Sequence, residues 1–213
     1  EGEEVGLFSA SGLLIDSIVY GSQIEDVSYG RKPNGSQNWY FFGEPTPQAT
    51  NSTIGLTTTE FAKGVLFSQE GGFYSGPISV ELSSSNGNGT VRYTLDGSEP
   101  KSNSPAYSNP ISVTSNTMLS ARVFEDGKLP GEIFSGTYFI GENRTLPAFS
   151  IITEYNYLMG REQGIYRNTL KEREIPINLE FFPLESERGF SQRVGMRIGG
   201  ENIFRFAQKP LNI

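Results

Sequence analysis

Tyr93-Thr94-Leu95-Asp96-Gly97-Ser98-Glu99-Pro100 is the stretch whose reading decides the fold. It closes the alternating run Val91-Arg92-Tyr93-Thr94-Leu95, and period-2 alternation is the mark of a half-buried strand. Asp96-Gly97-Ser98-Glu99-Pro100 then reads as a turn, because Asp, Gly, Ser and Pro each bend the backbone by a different device. The same rhythm spreads outward. Ile78-Ser79-Val80-Glu81-Leu82 alternates upstream, with a flexible turn from Ser83 to Gly89. Downstream, strands are expected at Ile111–Val113, Met118–Phe124 and Ile133–Ile140, with Asp126-Gly127 between the last two. About seven short strands at spacings of about 8–12 residues predict a small antiparallel sandwich over 61–141.

The flanks differ in character. Gly6-Leu7-Phe8 and Leu13 to Tyr20 read as two strands joined at Ser11-Gly12. Arg31-Lys32-Pro33-Asn34-Gly35 is a turn and Trp39-Tyr40-Phe41-Phe42 a short strand. Three strands over residues 1–52 bury too little surface to stand comfortably alone. Asn51 to Thr59 is a Ser/Thr-rich connector or a crossing strand. In 145–213, strands are expected at Ala148–Thr153, Ile175–Phe182 and Val194–Ile198, with a helical turn at Glu154–Met159. Lys209 to Ile213 reads as the start of a further strand, so a truncated domain is the expectation there. Glu1-Gly2-Glu3-Glu4 carries no signal peptide, which suggests a mature or internal segment. The expected fold class is mainly β: Ig-like antiparallel sandwich modules followed by a β-rich α+β partial domain.

What is missing from the composition narrows the chemistry. The chain has no Cys and no His. Disulfides, thiolate zinc, Ser-His-Asp triads and imidazole acid/base catalysis are therefore excluded. The net charge is −7 without a basic stripe, which argues against nucleic acid, whose phosphates need clustered cations. No run of about 18 apolar residues occurs, so no membrane-spanning helix is expected.

Three resemblances add to this reading. Residues 1–52, through Gly6-Leu7-Phe8, Asp16-Ser17-Ile18, Ser28-Tyr29-Gly30-Arg31 and Thr46-Pro47…Asn51, resemble the C-terminal part of a bacterial lamin-tail domain, an Ig-like sandwich. Residues 61–141 resemble the fibronectin-type-III-associated domain at the C-terminus of chitobiases. Gly72-Phe73-Tyr74, Tyr93 to Pro100, Tyr107, Pro110-Ile111, Ala121-Arg122 and Thr137-Tyr138-Phe139-Ile140 carry that likeness. Residues 145–213 resemble the N-terminal part of the spore coat protein H (CotH) kinase family. Here the carriers are Leu146-Pro147, Gly164-Ile165-Tyr166, Glu180-Phe181-Phe182, Gly189 to Gln192, Gly195-Met196-Arg197-Ile198 and Gln208-Lys209. Gly199, Ile203 and Phe204 depart from the family's polar pattern, with Arg205 one residue late.

The CotH resemblance implies an exported, extracellular or cell-surface bacterial kinase using ATP and a divalent metal. Its acidic metal ligands fall outside these residues, so no catalytic residue, metal ligand or cofactor is assigned within the chain. The nucleotide-binding candidates are Lys209, Arg197 and Arg205, by phosphate contact, with Gly199-Gly200 as a backbone cradle; each has a plainer reading as a solvated strand charge or a hairpin glycine. Asp96-Gly97-Ser98 is a turn before it is a calcium loop, because six or more oxygens must converge on calcium. Asp16, Glu25 and Asp26 read as a solvated edge. Trp39 to Phe42 form a sugar-stacking platform only if two of them leave the core. The sequons at Asn34, Asn51, Asn88 and Asn143 would matter only on a eukaryotic secretory route. Two functions stay open: accessory modules and part of a nucleotide lobe of a kinase acting on a protein substrate, or an adhesion array binding cell-surface glycan.

Overall fold

The computed structural model describes residues 2–168, 173–184, 189–200 and 209–213. It is mostly β and divides into two compact units, Glu1–Glu60 and Phe61–Ile213.

In the first unit, β1 (Glu3–Phe8) and β2 (Leu14–Tyr20) form an antiparallel hairpin, as expected from Ser11-Gly12. A second hairpin joins β3 (Ser28–Arg31) to β4 (Trp39–Phe42). The expected connector is not free. Leu56 bridges Phe41 through two backbone hydrogen bonds of 2.8 and 2.9 Å, and the Asn51 amide donates to the Arg31 carbonyl at 2.9 Å. Phe42 is fully buried, whereas Val5, Leu7, Phe8, Leu14, Ile15 and Val19 are each at least half exposed. Three strands were expected and four form, and the contrast agrees with the small core anticipated for this segment.

The second unit opens with eight short strands: β5 (Val65–Phe67), β6 (Gly72–Tyr74), β7 (Ile78–Val80), β8 (Leu82–Ser84), β9 (Thr90–Thr94), β10 (Ile111–Val113), β11 (Thr117–Phe124) and β12 (Phe134–Ile140). One layer is the sheet β6-β12-β11-β9, and the ribbons β5-β8 and β7-β10 lie against it. Alternation drives the packing. Leu119, Ala121 and Val123 of β11 point into the core, where they meet Val65, Val80, Leu82, Val91, Val113 and Tyr138. Each such buried aliphatic side chain contributes about 1.5–3 kcal/mol.

Ile78 to Leu82, expected as one strand, is two. The Ser68 N–H donates to the Glu81 carbonyl at 2.9 Å and the Ser68 hydroxyl accepts from the Glu81 N–H at 2.8 Å. Those bonds occupy Glu81, so β7 pairs with β10 and β8 with β5. The Asp96 turn ends β9 as expected, and the chain then returns to bridge Ala106 to Arg92.

The remaining strands are β13 (Ala148–Ile152), β14 (Glu174–Phe182), β15 (Phe190–Ile198) and β16 (Leu211–Asn212), paired in that order, with α1 (Tyr155–Met159) after β13. One face of this second sheet is apolar: Ile175, Ile177 and Met196 are buried with Ile165, against Tyr157 and Leu158 of α1. The opposite face carries Ser150, Asn178, Glu180, Phe182, Ser191 and Arg193 by register. It packs on the outer face of the first sheet.

Candidate functional site

The seam between those two sheets gathers most of the unusual chemistry in the second unit. Ser120 and Ser135, neighbours on the outer face of the first sheet, share a hydroxyl hydrogen bond of 2.8 Å. Thr137 on the same face bonds the Ser150 hydroxyl at 2.7 Å, and its N–H donates to a carboxylate oxygen of Glu180 at 2.8 Å. Glu180 is 0% exposed. Burying a carboxylate costs several kcal/mol unless hydrogen bonds replace water, and a backbone N–H to a charged acceptor returns about 1.5–3 kcal/mol. Gly71 makes room for it, since a Cβ there would lie 2.9 Å from the Thr137 nitrogen and 3.1 Å from the Glu180 carboxylate.

The decisive turn itself presses on the second sheet. Gly97 has φ +80°, and a Cβ there would lie 2.6 Å from the Thr153 carbonyl oxygen. Glu99 accepts from Arg193 at 2.7 Å, a pair about one-third exposed. Asp96 faces outward and is occupied locally: the Ser98 hydroxyl and N–H donate to it at 2.5 and 3.0 Å and hold its carboxyl below the usual range. At the far end of the seam, Phe182 meets Phe73 and Phe139 edge-on at 5.8 and 5.6 Å, and the Arg144 guanidinium lies 4.3 Å over the Phe73 ring. Burial pushes the Tyr157 hydroxyl up from its ordinary value, with Glu154 and Glu99 adding to the shift and Arg173 opposing it.

The nucleotide-binding candidates lie at the opposite end of the second sheet. Arg197, exposed on β15, stands between Glu174 and Asn212 on its neighbouring strands. Lys209 lies two residues before β16, separated from it by Pro210, and is half-buried. Arg197 stands on the face opposite the apolar layer, because it pairs with Asn212 while its neighbour Ile198 pairs with Leu211, which packs on that layer. Arg197 and Lys209 both lie at the corner of the sheet where β15 meets β16. Arg205, with Ile203 and Phe204, lies outside the described residues. Gly199 is bonded to the Pro210 carbonyl at 3.1 Å, joining β15 to β16. Among the described residues no group of three or more His, Cys, Asp or Glu is placed to hold a metal ion. Arg197 and Lys209 bring two cations to this corner, and the described residues place no carboxylate cluster for a metal ion beside them.

In the first unit, Tyr29, Arg31, Trp39 and Phe41 share one face of the β3–β4 hairpin by register. Tyr29 stacks on Trp39 at 5.3 Å and packs on Phe41 at 4.7 Å. Arg31 lies 4.7 Å over the Trp39 ring and grips Asp16 with two bonds of 2.5 and 2.7 Å. Asp16, expected as a solvated edge charge, is thus a partner, and the guanidinium holds its carboxyl below the usual range. Trp39 and Phe41 leave the side occupied by the buried Phe42, the split that alternation required of any platform.

Glu180, Arg193 and Gly71 were not singled out in the sequence as site residues, and Gly97 was read as part of a turn. The one available signal was a carboxylate sharing strand parity with Asn178 and Phe182 in an otherwise apolar run. Residues 69–135 match the family model of the chitobiase/beta-hexosaminidase C-terminal domain. The match runs from just before β6 into β12 and supports the sandwich reading of the middle segment; it does not reach the lamin-tail-like or CotH-like stretches. No curated protein and no solved structure matches the chain. Among the described residues no helix is long and apolar enough to cross a membrane.

Proposed function

We propose that this chain supplies an accessory β-sandwich and part of the nucleotide-binding lobe of an exported bacterial CotH-type protein kinase. The observation that carries the reading is the antiparallel order β13-β14-β15-β16. Gly195-Met196-Arg197-Ile198 lies on its third strand, and Lys209 lies two residues before the fourth begins. A Lys on a lobe strand is where kinase folds meet nucleotide phosphates. When bound, ATP with its divalent metal supplies the transferable phosphoryl group. Lys209 and Arg197 would help hold its phosphates, and the docked sandwich would keep their sheet from shifting. The test is ATP binding with magnesium by the longest product its gene encodes, compared with Lys209→Ala. A loss of tenfold or more is expected, about 1.4 kcal/mol; unchanged affinity removes Lys209 from the site.

A second reading is a non-enzymatic glycan-binding array, favoured by the Tyr29-Trp39-Phe41 face with its Arg31–Asp16 pair. Flat rings beside fixed donors and acceptors suit a sugar's apolar face and hydroxyl rim. Glycan-array binding by the whole chain, lost in Trp39→Ala, would support it, and a blank array would remove it.

A further inference from the structure

We propose that the seam of the second unit binds an extended peptide, which adds itself as a strand to a free edge of β12. The proposal is independent of the nucleotide reading. β12 pairs with β11 from Phe134 to Tyr138, but β6 covers its other side only from Tyr138 to Ile140. Among the described residues, no strand lies beside Phe134 and Ser135, and the Gly71 backbone reaches the edge again at Gly136.

Backbone groups in an antiparallel ladder point alternately toward the partner strand and away from it. The Thr137 N–H points away from β11, since Glu180 takes it at 2.8 Å. Two residues earlier, the N–H and C=O of Ser135 therefore point outward as well. Glu180 does at Thr137 what a neighbouring strand's carbonyl would do, and it closes the edge there. Beyond that point Ile133 and Ser135 line a cavity of about 510 Å³, bounded by β5, β12, β14 and β15. That volume falls within the range of about 300–1,000 Å³ usual for ligand sites.

The walls say what kind of peptide fits. Leu66 and Phe134 line the cavity while 57% and 38% exposed, which offers apolar contact to alternate side chains of a bound strand. Glu132, exposed, lines it too, and the charge of the Arg193 guanidinium beside it is already matched by Glu99 at 2.7 Å. The balance is negative. It selects a strand in which apolar residues alternate with Lys or Arg, and it repels phosphate.

The experiment titrates the isotopically labelled full chain with the blocked hexapeptide acetyl-Val-Lys-Val-Thr-Val-Lys-amide. Two analogues, N-methylated on the odd or on the even residues, and the disaccharide cellobiose are run in parallel. Saturable binding is expected, with amide shifts centred on Ile133 and Ser135. One of the two methylated forms should bind at least about tenfold more weakly, the value of one or two lost hydrogen bonds. Glu132→Lys, at an exposed position, should weaken the unmodified peptide several-fold. Equal affinity for all three peptides would overturn the proposal, as would no shift at these amides up to about millimolar peptide. Cellobiose shifting the same amides while the peptide does not would also overturn it and assign the cavity to a saccharide.

Discussion

Gly97→Ala measures how firmly the Asp96 turn is seated on the second sheet. At φ +80° an L-residue pays about 1–2 kcal/mol for the left-handed backbone. The new methyl carbon would sit 2.6 Å from the Thr153 carbonyl oxygen, whereas carbon–oxygen contacts settle near 3.3 Å. The turn and the sheet must part by roughly 0.7 Å, and overpacking of that kind costs about 1–3 kcal/mol. The control is Gly127→Ala, because Gly127 has φ +76° but no atom within 4 Å of its would-be Cβ. It bears the backbone cost alone. Urea unfolding of the full chain should therefore show Gly97→Ala less stable than Gly127→Ala by about 1–3 kcal/mol. Amide exchange should rise at Ile151–Thr153 in the first variant only. If the two substitutions cost the same and exchange at β13 is unchanged, the turn does not bear on Thr153 and the account of the seam is wrong.

The Glu99–Arg193 pair is about one-third exposed on both sides, so a double-alanine cycle should return a coupling of only about 0.5–1 kcal/mol, shrinking with salt; zero coupling at low salt would mean that the pair contributes nothing. Tyr157 offers a pH test. Its hydroxyl is shifted up in the fold, chiefly by burial, so the protonated form is the one the fold favours. The stability it confers is complete below the unfolded value of about 10 and fades as pH climbs through the raised one. Above about pH 10 the native chain should lose stability more steeply than Tyr157→Phe; parallel curves would show that the shift has no energetic weight.

Much of this architecture was legible because it rests on period-2 alternation bounded by strong turn residues. β9, β11, β12, β14 and the short α1 all lie within a residue or two of their expected limits. β3, β5 and β6 were invisible, being three or four residues long and in two cases glycine-bearing, too short for a pattern to rise above chance. The break at Glu81 was hidden for another reason: it depends on Ser68, 13 positions away, and no local pattern reports such a bond. The seam was unreadable for the same cause. Alternation assigns Glu180 a face of β14 but not what covers that face. Ser120, Ser135 and Thr137 read as solvent-facing until another sheet is laid over them.

Glu180 also constrains how the chain can assemble. Sliding β14 by one position would swing this carboxylate toward Ile165 and Met196 and bring Ile175, Ile177 and Leu179 round to hydroxyl groups that they cannot satisfy. An ion in such hydrocarbon surroundings, stripped of its Thr137 partner, is several kcal/mol worse off, and strand slippage is opposed wherever it flips every side chain to the wrong side. The buried acid works as a key that admits a single alignment, so the same group that makes the interior expensive keeps it from forming out of step.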